Sequence, residues 1–454
     1  MTVVRTVRAN LVSAVNRLDA SFHASPGEAA AARVIASGRP LARIGDLGDV
    51  WTPSRFARAW AAPGEPGVPY LRPYDTLDYL PVPADFLSTA RTDNLDALRI
   101  ALDDILVTCS GRNLGPPVAA DHHLTAFALS HDMVRLRVSE PSLRWWLYAY
   151  LRSRTGQSLL RRGKAGSVID HITVDDVRRV PVPLPDDGSM TEVAALVERA
   201  VRQREAARSG LVEALSVLAG DAWQPGREEV RRREWTMRAA ALEDRLDAGH
   251  YHPAVTAAAA QAAEQDGPRI GDLARGVLPV RYRRVYVGPE HGRPILSGRQ
   301  LLQADPVNLR YVADRSFRDP DAYTVREGAV IFGAAGRSGG RIGQPALVRA
   351  DRDGWLASND VMRLFPHDTT HSGALWLAIA LPQTQVQIKG LSYGSVIDHM
   401  NPWDVEALRV PPVPRDIADR ALTAWVDFAA SSEALRSASD HIEQGIADAA
   451  AALD

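Results

Sequence analysis

The sequence contains little of what marks several large classes of protein. One cysteine among 454 residues excludes a disulfide framework and a cysteine-rich zinc site, and favours a reducing compartment. No run of about 18 apolar residues occurs, and the N-terminal residues lack the apolar core of a signal peptide. We therefore expect a soluble, cytoplasmic protein with no membrane partner.

The sequence motifs of common enzyme classes are also missing. We find no P-loop, no H-E-x-x-H zinc motif and no G-x-S-x-G nucleophile elbow. His122 and His123 have no further ligand at metal spacing, so we interpret them as part of a solvated loop. The net charge of −2 excludes a uniformly basic polyanion binder, but not a basic face balanced by acidic residues elsewhere. We expect no metal and no cofactor.

What the sequence does contain is one phrase that occurs twice. GSVIDH stands at residues 166–171 and again at 394–399, which is a shift of 228 positions. Other matches keep the same order in both halves: 17–20 with 245–248, 43–47 with 269–273, 111–112 with 336–337, and 130–136 with 358–364. The shift varies only between 225 and 228, so the sequence predicts a tandem duplication of domain-sized units.

Each copy has the pattern of an α/β (α+β) domain. Short apolar or alternating runs bounded by Gly, Pro and Asp predict strands at 41–50, 67–72, 104–109 and 133–138, and at 278–287, 293–297, 328–333 and 361–365. One longer helix is predicted in each copy, at 142–161 and 372–389, and Pro382 should kink or shorten the second. Thr173 and Asn401 are placed to cap a short helix after each repeated phrase, ahead of a proline-bounded edge strand.

A long amphipathic helix is predicted after each copy. Apolar residues recur at spacings of three, four and seven over 189–220 and 415–453, with Arg204 as the polar exception, which is typical of a coiled coil. Residues 227–244 are predicted to form a connecting helix. The expected divisions are a first domain with an N-terminal helix, the first long helix with its connector, a second domain, and a C-terminal helix: 1–188, 189–244, 245–414 and 415–454.

The repeated phrase allows a catalytic interpretation, which the sequence argues against. Ser167, Asp170 and His171 are the residue types of a hydrolase triad. An Asp and a His adjacent on one loop cannot readily orient each other as a triad requires, and no nucleophile elbow accompanies them.

A DNA methyltransferase is likewise not supported. It would need a Gly-rich nucleotide loop and an Asn-Pro-Pro-aromatic site, and Asn401-Pro402-Trp403 lacks the second proline. Cys109 corresponds to Ala334, which excludes a nucleophilic cysteine used by both copies. We predict no catalytic residues and no enzyme activity.

The two copies share hydrogen-bond donors on loops instead. Gly111-Arg112 and Gly336-Arg337 each follow a predicted strand, and Arg281 and Arg284 of the second copy lie opposite Arg55 and Arg58 of the first. Arginine can read guanine edges bidentately, and a neighbouring glycine lets the backbone approach a phosphate. We predict DNA contacts by Arg112, Asn113, Lys164, Ser167, His171, Arg281, Arg284, Arg337, Ser338, Lys389, Tyr393, Ser395 and His399.

These motifs, repeated in this order, resemble the specificity subunits of type I restriction–modification systems. The resemblance covers nearly the whole chain. It is carried by the two RLDA starts, the Gly-Arg loops, GSVIDH with its capped turn, the exits VPVPLP and VPPVP, and the long helices. In that family each copy is a target recognition domain that reads one half of a bipartite DNA site, and the helices form an antiparallel coiled coil that docks methyltransferase subunits.

The resemblance implies a non-enzymatic subunit that binds double-stranded DNA in a restriction or related methylation-based antiviral defence complex. Its implied partners are a DNA methyltransferase (modification) subunit and a restriction/translocase subunit. The copies differ most over 51–100 and 277–326, so the two half-sites should differ and the DNA site should be asymmetric. Two alternatives stay open: a scaffold of a defence complex that does not read DNA, and an enzyme associated with a DNA methyltransferase.

Overall fold

The computed structural model describes residues 20–83, 85–111, 113–163, 170–220, 234–242, 245–298, 300–336, 341–393 and 398–452. The chain divides into two compact units. The first unit comprises residues 1–77, 81–205 and 430–454, and the second comprises residues 78–80 and 206–429. Within the described residues, no helix combines the length and the apolar character needed to cross a membrane.

The first unit is built on antiparallel strands. Its strands are β1 Leu41–Arg43, β2 Asp49–Trp51, β3 Gly67–Leu71, β4 Asp85–Ser88, β5 Ile105–Thr108, β6 Pro117–Ala119, β7 Ala128–Leu129, β8 Met133–Arg137 and β9 Pro181–Pro183. They form a four-stranded sheet β2-β8-β5-β6, a three-stranded sheet β4-β3-β7 and the pair β1-β9. Among the strands described in this unit, β3 and β7 alone pair in parallel. The proline-bounded strand predicted after the first repeated phrase is therefore confirmed as β9.

Helices of the first unit pack on this framework. They are α1 Ala20–His23, α2 Pro26–Ala36, α3 Ile44–Leu47, α4 His122–Thr125, α5 Pro141–Arg152, α6 Arg154–Leu160 and α7 Val174–Arg178. The single strand predicted over 41–50 is wrong, because the Asp46 carboxylate accepts the Arg43 N–H at 3.1 Å and fixes the turn α3.

Two predicted features of the first unit's helices have different outcomes. The single helix predicted over 142–161 is wrong. Ser153 is extended, with ψ at 161°, and its Oγ accepts the Gly156 N–H at 3.1 Å, so one helix ends there and the next begins. The cap predicted at Thr173 is confirmed, since its Oγ1 accepts the Asp176 N–H at 3.1 Å.

The second unit repeats this plan. Its strands are β10 Ala274–Val277, β11 Tyr286–Val287, β12 Arg293–Leu296, β13 Arg310–Val312, β14 Val330–Gly333, β15 Ala335–Gly336, β16 Ala346–Leu347, β17 Leu356–Ala357, β18 Val361–Pro366 and β19 Asp398–His399. They form the sheets β10-β18-β14-β16 and β11-β13-β12-β17 and the pair β15-β19. The strand predicted over 278–287 is wrong over most of its length. Pro279 has no N–H for a ladder, and the pairing with β18 covers 274–277.

The remaining helices are α8 Asp187–Ala219, α9 Pro253–Glu264, α10 Ile270–Leu273, α11 Ser372–Ala380, α12 Pro382–Leu391, α13 Pro402–Ala407 and α14 Arg415–Ala451. The break predicted at Pro382 is confirmed, with Leu381 extended between α11 and α12. Asn401 precedes α13 without a side-chain cap, because its amide donates to Asp404 Oδ2 at 3.3 Å instead. Of the predicted connecting helix 227–244, residues 234–242 are described and contain one 3-10 turn, Ala239–Ala241.

The strand registers show that the duplication is one of structure. In the first unit, Arg135 of β8 lies opposite Trp51 on one side and Leu106 on the other. In the second unit, Arg363 of β18 lies opposite Val277 and Ile331. Each residue of the second set follows its counterpart by 225 to 228 positions, so the same residue pairs form the same sheet.

The two long helices, α8 and α14, pack together as an antiparallel coiled coil. In the first unit, Val193, Val197, Ala200 and Val201 of α8 share a core with Leu435, Ala438, Ile442 and Ile446 of α14. In the second unit, Leu211 and Leu215 share a core with Trp425 and Phe428. The direction follows from the second unit, where a Cβ at Gly210 would lie 3.6 Å from that of Ala424 and Glu213 pairs with Arg420 at 3.5 Å.

Arg204, the polar exception in the predicted heptads, has partners on α14. Its guanidinium donates to the hydroxyls of Ser431 at 3.2 Å and Ser432 at 2.9 Å. Both serines are buried. A polar side chain inside a helix interface is tolerated when such partners satisfy its donors, and it helps to set the register of the pair.

Candidate nucleic-acid interface

The loop that carries Gly111 and Arg112 leaves the sheet at β5 and is closed at its base. The Gly115 N–H donates to the Thr108 carbonyl at 2.9 Å, and Gln157 Nε2 donates to the Gly115 carbonyl at 2.9 Å. Gly115 has φ of +94°, a conformation that favours glycine. Gln157 also donates to the Leu151 carbonyl at 2.7 Å, which ties the loop base to helix α5.

The second unit closes the corresponding loop with the corresponding residues. The Gly343 N–H donates to the Gly333 carbonyl at 3.0 Å, and Gly343 has φ of +79°. Gln385 Nε2 donates to the carbonyls of Gly343 at 2.9 Å and Ile379 at 2.8 Å. A glutamine on a helix, half-buried Gln157 or buried Gln385, therefore holds the base of each Gly-Arg loop, and the sequence analysis did not single out either glutamine. A signal was present, since Gln157 and Gln385 are separated by 228.

The last residues of the repeated phrase meet this loop in both units. In the first, Ser110 bridges to His171, and the Ile172 N–H donates to the Cys109 carbonyl at 2.9 Å. In the second, β15 pairs with β19 so that Ala335 lies opposite His399. The sequence alone left the two motifs more than 50 residues apart, and the fold brings their backbones into one small strand pair.

A third element completes the arrangement in the first unit. The turn before β8 contacts the loop, because the Cys109 N–H donates to the Asp132 carbonyl at 3.2 Å. Arg58, from the segment in which the copies differ most, reaches the same turn: its Nη2 lies 3.9 Å from Asp132 Oδ2. Its guanidinium also lies over the Tyr70 ring, 5.8 Å from the centroid.

The second unit has the same arrangement. The Ala334 N–H donates to the Asp360 carbonyl at 2.8 Å, and Arg284 Nη2 donates to Asn359 Oδ1 at 3.2 Å. Arg284 follows Arg58 by 226 positions and lies over a tyrosine too, 5.6 Å from the centroid of Tyr282. Each unit thus gathers the Gly-Arg strand end, the repeated phrase and an exposed arginine of the divergent segment at one edge of its sheet.

The two divergent segments differ in charge. Residues 277–312 contain six arginines and two carboxylates. Arg281 and Arg283 are exposed, and within the described part of the chain neither has a carboxylate at ion-pair distance. In the first unit most such charges are paired: Arg72 with Asp85, and Arg91 with Glu65 at 2.7 Å. A positive potential therefore faces solvent mainly from the second unit.

Hydrogen bonds to these arginines shift the pKa of two neighbouring groups. The bonds from Arg91 and then Ser88 lower the pKa of Glu65 to about 2. In the second unit, burial would raise the pKa of Tyr286, but hydrogen bonds from Arg310 and Arg284 outweigh burial and lower it. Arg310 lies over the Tyr286 ring at 4.9 Å.

Aromatic rings beside these arginines are functional candidates that the sequence analysis missed. They are Phe56, Trp60 and Tyr70 in the first unit and Tyr282, Tyr286 and Phe317 in the second. The chain is only 6% aromatic, so their concentration in the two divergent segments was a usable signal.

The predicted contact residues fall into two groups. Six of them lie outside the described residues: Arg112, Lys164, Ser167, Arg337, Ser338 and Ser395. Among the others, Asn113 is half-buried, and His171, Arg281 and Arg284 are exposed. Lys389 is half-buried in the last turn of α12, and burial lowers its pKa.

Tyr393 and His399 are brought together in the second unit. Their backbones exchange hydrogen bonds, with Tyr393 N–H donating to the His399 carbonyl at 3.0 Å and the reverse bond at 2.8 Å. The Tyr393 ring is 41% exposed, and its hydroxyl donates to Asn401 Oδ1 at 3.0 Å.

The arginine of the second RLDA motif contacts residues on both sides of the repeated phrase. Arg245 donates to the Leu391 carbonyl at 3.1 Å and to Asp247 at 2.8 Å, and its Nη1 lies 3.7 Å from Asp404. Leu391 and Asp404 lie on either side of GSVIDH. One arginine therefore links the two ends of the segment that contains the phrase.

The loop predicted at His122 and His123 is wrong, although the His122 side chain is 74% exposed to solvent as predicted. Asp121 Oδ1 accepts the Leu124 N–H at 2.9 Å, which caps the short helix α4. His122 Nδ1 pairs with Glu205 of α8, and His123 Nε2 lies 3.1 Å from the Pro81 carbonyl. The pair anchors the long helix within the first unit.

No family model matches this chain, and no curated protein matches it. Among solved structures, it is similar to the type I restriction–modification system S subunit from M. genitalium, with 12% identity, a TM-score of 0.30, and coverage of 91% of this chain and 94% of that one. It is also similar to a chain from a structure on complex assembly and conformational transition of the type I restriction–modification system, with 14% identity, a TM-score of 0.28, and coverage of 91% of this chain and 96% of that one. It is similar as well to the HsdS subunit from Thermoanaerobacter tengcongensis, with 16% identity, a TM-score of 0.27, and coverage of 91% of this chain and 96% of that one.

Proposed function

We propose that this chain is the DNA-binding specificity subunit of a restriction–modification or related methylation-based defence complex, and is not itself an enzyme. Each repeat reads one half of a bipartite site in double-stranded DNA. One observation carries the proposal: an exposed arginine, Arg58 or Arg284, stands at equivalent positions beside the Gly-Arg loop and the repeated phrase in both units. The proposed domains are 1–188 and 245–414, with helical segments 189–244 and 415–454.

The chemistry of the basic residues supports DNA reading. All but two of the 53 basic residues are arginine. A guanidinium offers a planar fork of donors that matches the two acceptors of a guanine edge, whereas an ammonium acts as a point charge on a phosphate. Arg58 and Arg284 are therefore assigned to base edges. Arg112 and Arg337 of the Gly-Arg loops are assigned to base edges with them, and Lys389 to a phosphate. The other predicted residues contact the DNA beside these.

The difference between the divergent segments supports an asymmetric site. The repeated sheet and loop bases are built from equivalent residues, whereas Arg58 lies over Tyr70 and Arg284 over Tyr282, which are not equivalent positions. The unpaired arginines of 277–312 add phosphate contacts on the second half-site only. Two domains that share one backbone framework but present different contact residues select different bases.

The long helices are proposed to dock the DNA methyltransferase and, through the complex, a restriction/translocase subunit. Their facing sides are used by the coiled coil, where Trp425 is 2% and Phe428 0% exposed. The opposite sides remain exposed, with Val217 at 57% and Val426 at 60%. Apolar side chains on an otherwise polar helix face suit a partner surface.

The test is selection of a random double-stranded DNA library by the purified chain, alone and with a candidate methyltransferase. The wild-type protein should select an asymmetric bipartite site. Arg284→Ala and Arg58→Ala should each relax selection in a different half-site, at a cost of about 1–3 kcal/mol on the selected sequence. The matched controls Arg420→Ala and Arg436→Ala remove exposed arginines from α14 and should leave selection unchanged.

The outcomes separate the proposal from its alternatives. Equal weakening on all sequences by Arg284→Ala would make it a backbone contact. If the wild-type protein binds the methyltransferase but retains no DNA, the scaffold interpretation is supported instead.

A further inference from the structure

One arginine in each unit is buried in the sheet and does not face DNA. Arg135 of β8 is 2% exposed and Arg363 of β18 is 0% exposed. They are separated by 228 positions and occupy the same register in equivalent sheets. Within the described residues, neither has a carboxylate at ion-pair distance. A buried cation without such a partner is costly, so its retention at both positions calls for a physical reason.

Within the described residues, the Arg135 side chain donates its hydrogen bonds to main-chain carbonyls of the divergent segment. Nη1 donates to Ala97 at 2.9 Å and Arg99 at 2.5 Å, and Nη2 donates to Leu98 at 2.9 Å. These acceptors form the end of the 3-10 turn Leu95–Leu98 and the residue after it. The side chain thus spans from the repeated sheet to the last turn of the segment 51–100.

Arg363 makes the equivalent contact in the second unit. Its Nη2 donates to the Tyr323 carbonyl at 3.0 Å, at the end of the 3-10 turn Asp321–Tyr323. The same guanidinium also donates to carbonyls of the repeated part of the unit, those of Ala357 at 2.5 Å, Ser358 at 3.3 Å and Val361 at 2.6 Å. Tyr323 is the counterpart of Leu98, because the next residue in each unit bridges to the equivalent short strand. Arg99 bridges to Ala128 of β7, and Thr324 bridges to Leu356 of β17.

Burial disfavours the charged form of each guanidinium without removing its charge. Burial lowers the pKa of both Arg135 and Arg363 to about 10, so each is still charged at neutral pH. A charged donor to a neutral carbonyl makes a stronger hydrogen bond than a neutral donor, and removing it takes that donor from the buried bonds to the carbonyls of Leu98 and Tyr323. Every residue type has a carbonyl, so the contact does not depend on the side chains of the segment it holds.

We propose that Arg135 and Arg363 are positioning residues that fix the divergent recognition segment of each repeat onto the repeated sheet, so that the segment's side chains can vary while its place is kept. The role in DNA reading rests on the proposed function. The role in holding the segment does not.

Hydrogen–deuterium exchange of the full chain, resolved by peptide, tests the holding role without DNA. Arg135→Met should speed exchange of the amides at 95–100 at least about tenfold and leave those of β5 unchanged. Arg363→Met should do the same at 321–325, with β14 unchanged. Each variant should act in its own unit only.

The control variants are Leu136→Ala and Leu364→Ala, which remove buried neighbours on the opposite face of the same strands. They should destabilise strand and segment together. If the arginine variants also speed exchange equally in strand and segment, or leave the segment unchanged, the holding role is refuted. Where a Met variant does not fold, Arg135→Lys or Arg363→Lys replaces it. It should give a smaller rise in the same segment, and no rise refutes the proposal.

Library selection with the same variants tests the reading role. Arg363→Met should relax selection at the second repeat's half-site by about fivefold or more. Selection at the other half-site, and the affinity for DNA that lacks the selected site, should be unchanged. A loss that is equal for every sequence refutes this role. If the wild-type protein retains no DNA, the proposed function fails, and the exchange data still decide whether the arginines hold their segments.

Discussion

Replacing Trp425 measures how much of the second unit's stability comes from the packing of α14. The indole is 2% exposed and lies 4.5 Å from the ring of Tyr79 and 5.4 Å from that of Trp376, between centroids. Truncation of a buried tryptophan to alanine costs about 3–5 kcal/mol, from lost burial and the cavity that remains. Ring pairs of this kind add roughly 0.5–1.5 kcal/mol each.

One feature of the indole reduces that loss. Within the described part of the chain, Trp425 Nε1 is buried and has no hydrogen-bond acceptor. An unsatisfied buried donor costs about 1–3 kcal/mol, which the alanine variant no longer carries. We therefore expect Trp425→Ala to lose about 3 kcal/mol, near the lower end of the range, and Trp425→Phe to lose about 1 kcal/mol or less, because it keeps a ring and removes the N–H.

The assay is urea unfolding followed by circular dichroism at a helical wavelength, because fluorescence would be altered by the substitution itself. Val426→Ala is the control, since the next residue is 60% exposed and should change stability by less than about 0.5 kcal/mol. A loss below about 1 kcal/mol for Trp425→Ala, or a larger loss for the phenylalanine variant than for the alanine variant, would refute the reasoning.

The remaining expectations concern one carboxylate, one thiol and one exposed helix side chain. Burial would raise the pKa of Glu205, but hydrogen bonds from His122 outweigh burial and lower it. The charged carboxylate therefore stabilises the fold at pH values above its ordinary pKa of 4.5, and this stabilisation is lost as the pH falls. The stability difference between wild type and Glu205→Gln should vanish as thermal melts are taken to lower pH. A difference that grows towards low pH would contradict this sign. Burial raises the pKa of Cys109 to about 12, so the native thiol should react with a disulfide reagent roughly 1000-fold more slowly than after denaturation, and equal rates would contradict its burial. Val426→Arg should weaken co-elution with the methyltransferase about tenfold or more, whereas Ile35→Arg, 66% exposed on α2, should not; equal behaviour would argue against docking on the helices.

The candidate site was partly readable from the sequence. The Gly-Arg loops and the repeated phrase could be found because duplication marks them, and the shift of 226 between Arg58 and Arg284 was visible in the same way. That these motifs meet could not be read, because the hydrogen bond from Ile172 to Cys109 joins residues 63 positions apart. Sequence patterns report neighbours within a few positions, and strand pairing joins segments at any separation.

The sequence predicted the features that depend on interactions between residues close together in the chain. The cap at Thr173 and the break before Pro382 depend on bonds within one helical turn, and the spacing of apolar residues in α8 and α14 determines which face of each helix is buried. The break at Ser153 was missed because no proline marks it, although it occupies the position of Leu381 in the other copy.

The sequence by itself determined that this chain contains two copies of one fold, each followed by a long helix. Only the tertiary structure decided what Arg135 and Arg363 do. In the sequence each is one arginine among many in an apolar strand, and nothing nearby distinguishes a buried guanidinium from an exposed one. The Arg135 guanidinium donates to carbonyls 36 to 38 positions away, and the Arg363 guanidinium donates to the Tyr323 carbonyl 40 positions away. The sheet brings each of these turns within hydrogen-bonding distance, and burial is a property of that whole arrangement.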